Sequence, residues 1–237
     1  MQARIGKRMR QSQFESFKEY YRHVANDSTG QELIALLDAL TTNFTSFLRE
    51  PIHFELLRKT ILPGITGPVR IWSAACSTGE EPFTIAFSLL DELGEGGAGR
   101  IKILASDLSN RVLETAAQGT YPAERFVDCP HEWLKKYLLR GSGSAEGWCR
   151  VKPSVRNLIE YRRMNLMETY HPTQRFHEIF CRNVMIYFNK ETQEQVVNRL
   201  AGCLAPGGYL LIGHSESLTG LNHPYQYIRP AVYRLPS

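Results

Sequence analysis

The chain has 237 residues, 43% of them hydrophobic and 22% charged, the balance of an ordinary globular protein with one large domain or a core domain with a small appendage. No run of about 18 apolar residues exists to span a membrane, and no apolar stretch backs the basic start MQARIGKRMRQSQ, so neither membrane insertion nor a secretory signal is expected. Five cysteines without a CxxC pair argue against a disulfide framework or a zinc site and for a reducing cytoplasm, while a net charge of +4 is too mild to make nucleic acid the default partner.

Much of the positive charge lies early, in Arg4, Lys7, Arg8 and Arg10: a basic arm suited to an acidic surface, or a solvated helix face. From Gln11 to about Lys59 the pattern is helical. Phe14, Phe17, Tyr21 and Val24 recur at helical spacing, as do Leu33, Leu36, Leu37 and Leu40, and Asp27-Ser28-Thr29-Gly30 separates the two sets. Pro63-Gly64 and Gly67-Pro68 mark a boundary.

Beyond it the rhythm becomes strand, then helix. VRIWSAA (Val69–Ala75) reads as a buried strand, Glu80–Leu93 as a helix, IKILASD (Ile101–Asp107) as a strand and Asn110–Gln118 as a helix. FHEIFCR (Phe176–Arg182), a helix over Gln193–Leu204 and YLLIGH (Tyr209–His214) continue the alternation, and YQYIRPAVYRL reads as a terminal strand pair. Such alternation specifies a parallel sheet covered by helices on both faces. Only between Leu138 and Arg156 does it fail: the Gly/Ser-rich RGSGSAEGW lies between YLLR and CRVKP, as in a β-hairpin inserted into the α/β core.

Four segments carry polar groups where chemistry would sit. Ser73-Ala74-Ala75-Cys76-Ser77-Thr78-Gly79-Glu80-Glu81-Pro82 follows the first strand and opens a helix, the position at which open α/β sheets dock nucleotide-like ligands. It is neither GxGxxG nor a P-loop, which disfavours a phosphate cradle. Glu80 there can meet a cationic or amine-bearing ligand, or serve only the helix dipole. Asp107 ends the second strand, where an acidic residue accepts from ribose hydroxyls or caps the next helix. In Cys181-Arg182-Asn183-Val184-Met185-Ile186-Tyr187-Phe188 polar side chains emerge from an apolar run, Cys181 itself being core. No Pro-Pro follows Asn183, unlike the loop of many amino-methylating enzymes that act on DNA, which argues against an adenine or amide acceptor. TTNFTSFLRE (41–50) offers Thr42, Asn43 and Thr45 as ligands or helix caps, and Arg49.

Together TTNFTSFLRE, IWSAACSTGEEPFTIA, ILASDLSNRVLETA, IFCRNVMIYFNKETQEQVV and LAPGGYLLIGHSESL resemble the CheR-type chemotaxis receptor glutamate O-methyltransferases, over about Ala3 to Tyr233. The family's usual Phe-Phe-Arg reads Phe47-Leu48-Arg49 here, and Cys76 stands where alanine is common. The resemblance implies an α/β fold: a class I methyltransferase (Rossmann-like) core over 51–237, a shortened all-helical N-terminal domain over 1–50, and an inserted small antiparallel β-subdomain at about 136–160. It implies S-adenosylmethionine as methyl donor, S-adenosylhomocysteine as product, and no metal. Carried over by motif, the donor would be held by Asn43, Thr45, Arg49, Glu80, Asp107, Asn165, Leu166, Arg182 and Asn183, with Arg49 and Tyr187 nearest the transferred methyl. The partners implied are the cytoplasmic methylation helices of chemotaxis receptors, and the receptor's C-terminal peptide through the β-subdomain near Arg140–Trp148. Neither nucleic acid nor membrane insertion is expected, and the enzyme would act as a cytoplasmic monomer.

Overall fold

A computed structural model describes residues 2–40 and 45–237. The chain forms two compact units, Met1–Phe44 and Thr45–Ser237. Residues 45–50, grouped with the helical domain in the sequence reading, belong to the second unit.

Among the described residues the first unit holds three helices, α1 (Gln2–Gln11), α2 (Phe17–Asn26) and α3 (Gln31–Leu40). Ser16 caps α2 by accepting the Glu19 N–H, which satisfies one of the donors a helix start leaves open. Glu32 binds the helices together: it accepts from Arg8 Nε at 2.9 Å and Nη2 at 2.7 Å, from the Tyr20 hydroxyl at 2.9 Å and from Ser12 at 3.1 Å. Those bonds, Arg8 foremost, hold the Glu32 carboxyl below the ordinary range despite its burial. Arg8 is therefore a structural ion-pair partner, which removes it from the basic arm; Lys7 and Arg10 stay exposed, and the Arg4 side chain lies outside the described residues.

The second unit begins with α4 (Ile52–Leu56), extended by one wide π-turn over Leu57–Ile61. Its main sheet contains β1 (Val69–Ala74), β2 (Ile101–Asp107), β6 (Ile159–Arg163), β7 (Phe176–Cys181), β8 (Leu204–Ile212), β9 (Gln226–Arg229) and β10 (Val232–Arg234), in the order β6-β2-β1-β7-β8-β10-β9. The first five strands run parallel, and β10 and β9 add an antiparallel edge. The long helices are α5 (Glu80–Leu93), α6 (Asn110–Gln118) and α9 (Lys190–Cys203). Both faces of the central strands are dry, which is why those strands read as near-continuous apolar runs. Ile71, Phe180 and Leu211 point to one core with Phe83 and Phe87 of α5. Their neighbours Trp72, Ile179 and Leu210 point to the other, with Val196, Val197 and Leu200 of α9.

A second sheet of three antiparallel strands comprises β3 (Thr120–Pro122), β4 (Leu138–Arg140) and β5 (Trp148–Val151), in the order β3-β5-β4. The hairpin expected around RGSGSAEGW is β4–β5. Two details differ from the sequence reading. The small sheet recruits β3, well before residue 136, and the segment from Ile159 leaves it to become an edge of the main sheet. Between the strands α7 (His131–Tyr137) docks on α5, with Tyr137 stacked on Phe87 at 5.1 Å and Trp133 against the same ring at 5.7 Å; α8 (Pro153–Arg156) leads from β5 to β6.

Candidate active site

The parallel strands β1, β2, β6, β7 and β8 end on one edge, and the segments that follow them are bent there. Of seven non-glycine residues with positive φ among the described residues, Leu48, Glu50, Ala75, Ser77 and Asn183 lie in three segments that meet at this edge. Left-handed backbone is costly for residues with a Cβ and persists where the surroundings impose it, a pattern typical of functional sites.

The loop after β1 turns at Ala75, Ser77 and Gly79. Gly79 has φ +97°, and a Cβ there would stand 2.7 Å from the Ala116 Cβ and 2.9 Å from the Tyr121 hydroxyl. Asp107, at the end of β2, fixes this loop: its Oδ2 accepts from Ser77 N at 2.9 Å and its Oδ1 from Ser109 N at 3.1 Å. Ser109, not Asp107, is the side-chain cap of α6. The carboxylate of Asp107 is thus oriented by two backbone donors at the position expected of a ribose ligand. The Asp107 carbonyl accepts from Met164 N at 3.0 Å, so the chain after β6 starts beside it. There Asn165 and Leu166 line a small depression with Trp72, Tyr170, Leu200 and Cys203.

Glu80 opens α5 and is buried, its Oε2 accepting from the Thr78 hydroxyl at 2.7 Å and its Oε1 from Arg125 Nη2. The same Nη2 donates to the carbonyl of buried Thr45 at 2.8 Å. Phe47 anchors the Thr45–Glu50 segment, packed against Phe126 at 4.3 Å and Tyr121 at 5.2 Å. Asn43 lies outside the described residues.

Arg182, at the end of β7, is enclosed. It donates to Glu81 Oε2 at 3.1 Å, to Glu50 Oε2 at 3.2 and 3.0 Å, and to the Arg49 carbonyl. Glu50 also takes the His214 N–H at 3.2 Å and Asn183 Nδ2 at 3.4 Å. Burial alone would raise the Glu50 carboxyl, but Arg182 and the His214 N–H outweigh it and hold it below the ordinary range. Burial raises the Glu81 carboxyl instead, against the pull of Arg182 and Ser73. Burial, reinforced by Arg182, pushes His53 down to about 3, so its ring is neutral. Glu50, His53 and His214 place three potential metal-ligand atoms within 4.8 Å of one another. A cation entering there would meet the Arg182 guanidinium already paired with Glu50, a charge arrangement that opposes it.

The Asn183–Tyr187 segment is organised by a residue absent from the sequence-based set. Glu216 accepts four backbone N–H bonds, from Asn183 at 2.9 Å and Gly213 at 2.6 Å on Oε2, and from Met185 at 2.8 Å and Ile186 at 3.2 Å on Oε1. Gly213 permits this approach, since a Cβ there would stand 2.3 Å from Asn183 Nδ2 and 2.9 Å from Glu216 Oε2. The resulting 3-10 turn (Met185–Tyr187) leaves Ile186 50% and Tyr187 57% exposed at the site's outer margin.

The structure therefore forms two hydrogen-bonded groups at this edge, Thr45 and Glu80 joined by Arg125, and the Arg49 carbonyl and Asn183 joined through Arg182 and Glu50, with Asn165 and Leu166 in the segment that starts beside Asp107. Glu50, Arg125 and Glu216 were missed. An acidic residue just past a strand's carboxyl end, the signal that singled out Asp107, would also have found Glu216 in GHSES. Burial drives the Cys76 and Cys181 thiols well above their ordinary range, consistent with packing and not with nucleophilic chemistry.

Comparison with known proteins bears on this geometry. Residues 43–233 match the family described as "CheR methyltransferase, SAM binding domain", and residues 1–41 match "CheR methyltransferase, all-alpha domain". The chain is 41% identical to chemotaxis protein methyltransferase 2 of Pseudomonas aeruginosa, covering 98% of this chain and 82% of the relative. It is 40% identical to the chemotaxis protein methyltransferase of Salmonella typhimurium (98% and 80% covered) and 36% identical to that of Borreliella burgdorferi (99% and 85% covered).

Proposed function

Because the chain belongs to the CheR methyltransferase family, we propose that it transfers a methyl group from S-adenosylmethionine to glutamate side-chain carboxylates of chemotaxis receptors, forming methyl esters and leaving S-adenosylhomocysteine. The observation that carries the donor half is the pair of oriented carboxylates, Asp107 and Glu80, beside a loop whose Gly79 lets the backbone close in. Both suit a ligand with vicinal hydroxyls and a cationic head, and neither suits a phosphate.

Bound S-adenosylmethionine supplies a sulfonium-activated methyl group. The chain's own residues supply orientation. Asp107 takes the ribose hydroxyls, Asn165 and Leu166 flank the adenine, and Thr45, Glu80 and Asn183 hold the amino-acid end. Arg182 acts from beneath, keeping Glu50 and Glu81 ionically tied and so fixing both the Arg49 turn and the Asn183 turn. An acceptor glutamate is already ionised at neutral pH, so the step calls for no general base, and none is assigned. Catalysis then rests on aligning oxygen, carbon and sulfur and excluding water, an effect that reaches roughly 7–11 kcal/mol at its best. Arg49 meets the acceptor carboxylate, and Tyr187, on its exposed turn, orients the receptor helix.

Exposed Leu139 and Trp148 share one face of the small sheet with Arg150, an apolar surface with a cation for a receptor C-terminal peptide. No described helix is long and apolar enough to cross a membrane; the family reading itself leads us to propose the receptors' cytoplasmic domains as the site of action.

The test incubates the protein with methyl-labelled donor and receptor cytoplasmic fragments. Label released as methanol in mild base identifies carboxyl esters, whereas base-stable label refutes the acceptor assignment. Arg49→Ala should lower kcat/KM at least about tenfold, roughly 1.4 kcal/mol; unchanged kinetics remove Arg49 from the site.

A further inference from the structure

Arg125 enters the donor site from an unexpected direction. It sits on the 3-10 turn (Ala123–Phe126) that follows β3, at the root of the small sheet. Both of its bonds, to Glu80 Oε1 and to the Thr45 carbonyl, use Nη2. Nε and Nη1 have no bonded partner among the described residues, and the side chain is 37% exposed. Arg125 is also the sole ion-pair partner of Glu80 among the described residues. The site thus presents a carboxylate and a guanidinium side by side, with the guanidinium's unused N–H groups left over.

Such a pair is complementary to a zwitterion. An α-amino acid head carries its ammonium and carboxylate on one carbon, each a single bond of about 1.5 Å away. An ammonium received by Glu80 therefore brings its carboxylate within reach of a guanidinium already bonded to Glu80. The planar fork of Arg is suited to bind that carboxylate through two N–H groups. Resting on the donor reading above, we propose that Arg125 binds the α-carboxylate of the methyl donor and Glu80 its ammonium, so that the two form a clamp for the amino-acid head. Arg49 is then left to the acceptor.

Calorimetric binding of two ligands tests the clamp without turnover. One is S-adenosylhomocysteine; the other is its decarboxylated analogue, S-adenosyl-3-thiopropylamine, which keeps the amine and lacks the carboxylate. The unaltered protein should bind the first at least tenfold more tightly, about 1.4 kcal/mol. In Arg125→Gln that preference should fall below twofold, because the analogue loses nothing when the guanidinium is removed. Arg125→Lys, which keeps the charge without the fork, should retain an intermediate preference and covers the case in which the Gln variant fails to fold. The clamp is overturned if Arg125→Gln weakens both ligands equally, which would make Arg125 a latch for the loop. It is equally overturned if the unaltered protein does not distinguish the two ligands. Failure of the unaltered protein to bind either ligand would instead remove the donor reading itself, and the clamp with it.

Discussion

The four N–H bonds on Glu216 make its replacement by glutamine an informative perturbation. The side chain keeps its size, yet only one end still accepts hydrogen bonds. In Glu216→Gln the carbonyl oxygen serves one pair of donors, either Asn183 and Gly213 or Met185 and Ile186, and the amide NH2 confronts the other pair. Two charge-assisted bonds are lost. At about 1.5 kcal/mol each, the low end for bonds to a charged group, the ordered turn loses about 3 kcal/mol. Glu216 is half-buried, so water replaces part of this, and roughly 1.5–3 kcal/mol remains. That corresponds to about a 10- to 150-fold fall in the ratio of ordered to disordered turn. Steady-state methyl transfer measured alongside donor binding should show kcat falling at least about tenfold, with affinity for S-adenosylhomocysteine falling by a smaller factor, since Asp107 and Glu80 lie on other loops and only the Asn183 contact belongs to this turn. Glu216→Ala, which removes all four bonds, should be worse. A kcat within twofold of the unaltered protein, or an alanine variant no worse than the glutamine one, would refute the assignment of Glu216 as the organiser of the turn.

Two further outcomes concern stability. Glu178 is buried on β7 with neither carboxyl oxygen hydrogen-bonded, and burial, with Glu81 nearby, drives its carboxyl well above the ordinary range. A raised acid opposes folding increasingly as pH climbs from its unfolded value, so Glu178→Met should gain about 1–3 kcal/mol at pH 7.5 and melt higher, with the gain shrinking toward pH 5; a melting temperature unchanged or lowered at pH 7.5 would contradict this. Glu50 has the opposite sign. Burial raises its carboxyl, Arg182 overcomes that, and the net depression means its contribution is present above the unfolded value of about 4.3 and lost as pH falls through the lower native value. Thermal melts from pH 6 to pH 3 should therefore fall less steeply for Glu50→Gln than for the unaltered protein, and equal slopes would count against the ion pair.

Much of the fold was legible because both-face burial writes strands as apolar runs. Ile101–Asp107 and Phe176–Cys181 are of this kind. The edge strand Ile159–Arg163 escaped for the converse reason: it is buried at Ile159 and exposed at Glu160, Arg162 and Arg163, so its sequence carries no strand-like hydrophobicity. Short β3 has only Tyr121 buried and announces itself no better. At the site, Asp107 and Glu80 were found because their place after a strand has a known meaning. Arg125, Glu50 and Glu216 act by bonding groups distant in the chain, Glu50 to Arg182 and Arg125 to Glu80, and Glu216 to four backbone N–H groups. Backbone donors are the same for every residue type, so a side chain selected to bind them leaves no pattern of partners in the sequence. Arg182 shows the complementary limit: its position suggested a ligand contact, while its guanidinium is taken up by two carboxylates and a carbonyl.

The left-handed bends at Leu48, Glu50, Ala75, Ser77 and Asn183 set an order in which the protein comes apart. At about 1 kcal/mol apiece, the low end for such backbone, they total roughly 5 kcal/mol, comparable with the whole margin by which a domain of ordinary stability stays folded. The two apolar cores beneath carry that burden, and only the core residues within the bent segments, Phe47 and Cys76, loosen with them. Partial opening therefore begins at the rim, and the sheet can persist while the rim is undone. A ligand that joins the three segments works against this local melting, and it defends the part of the molecule with the least stability of its own.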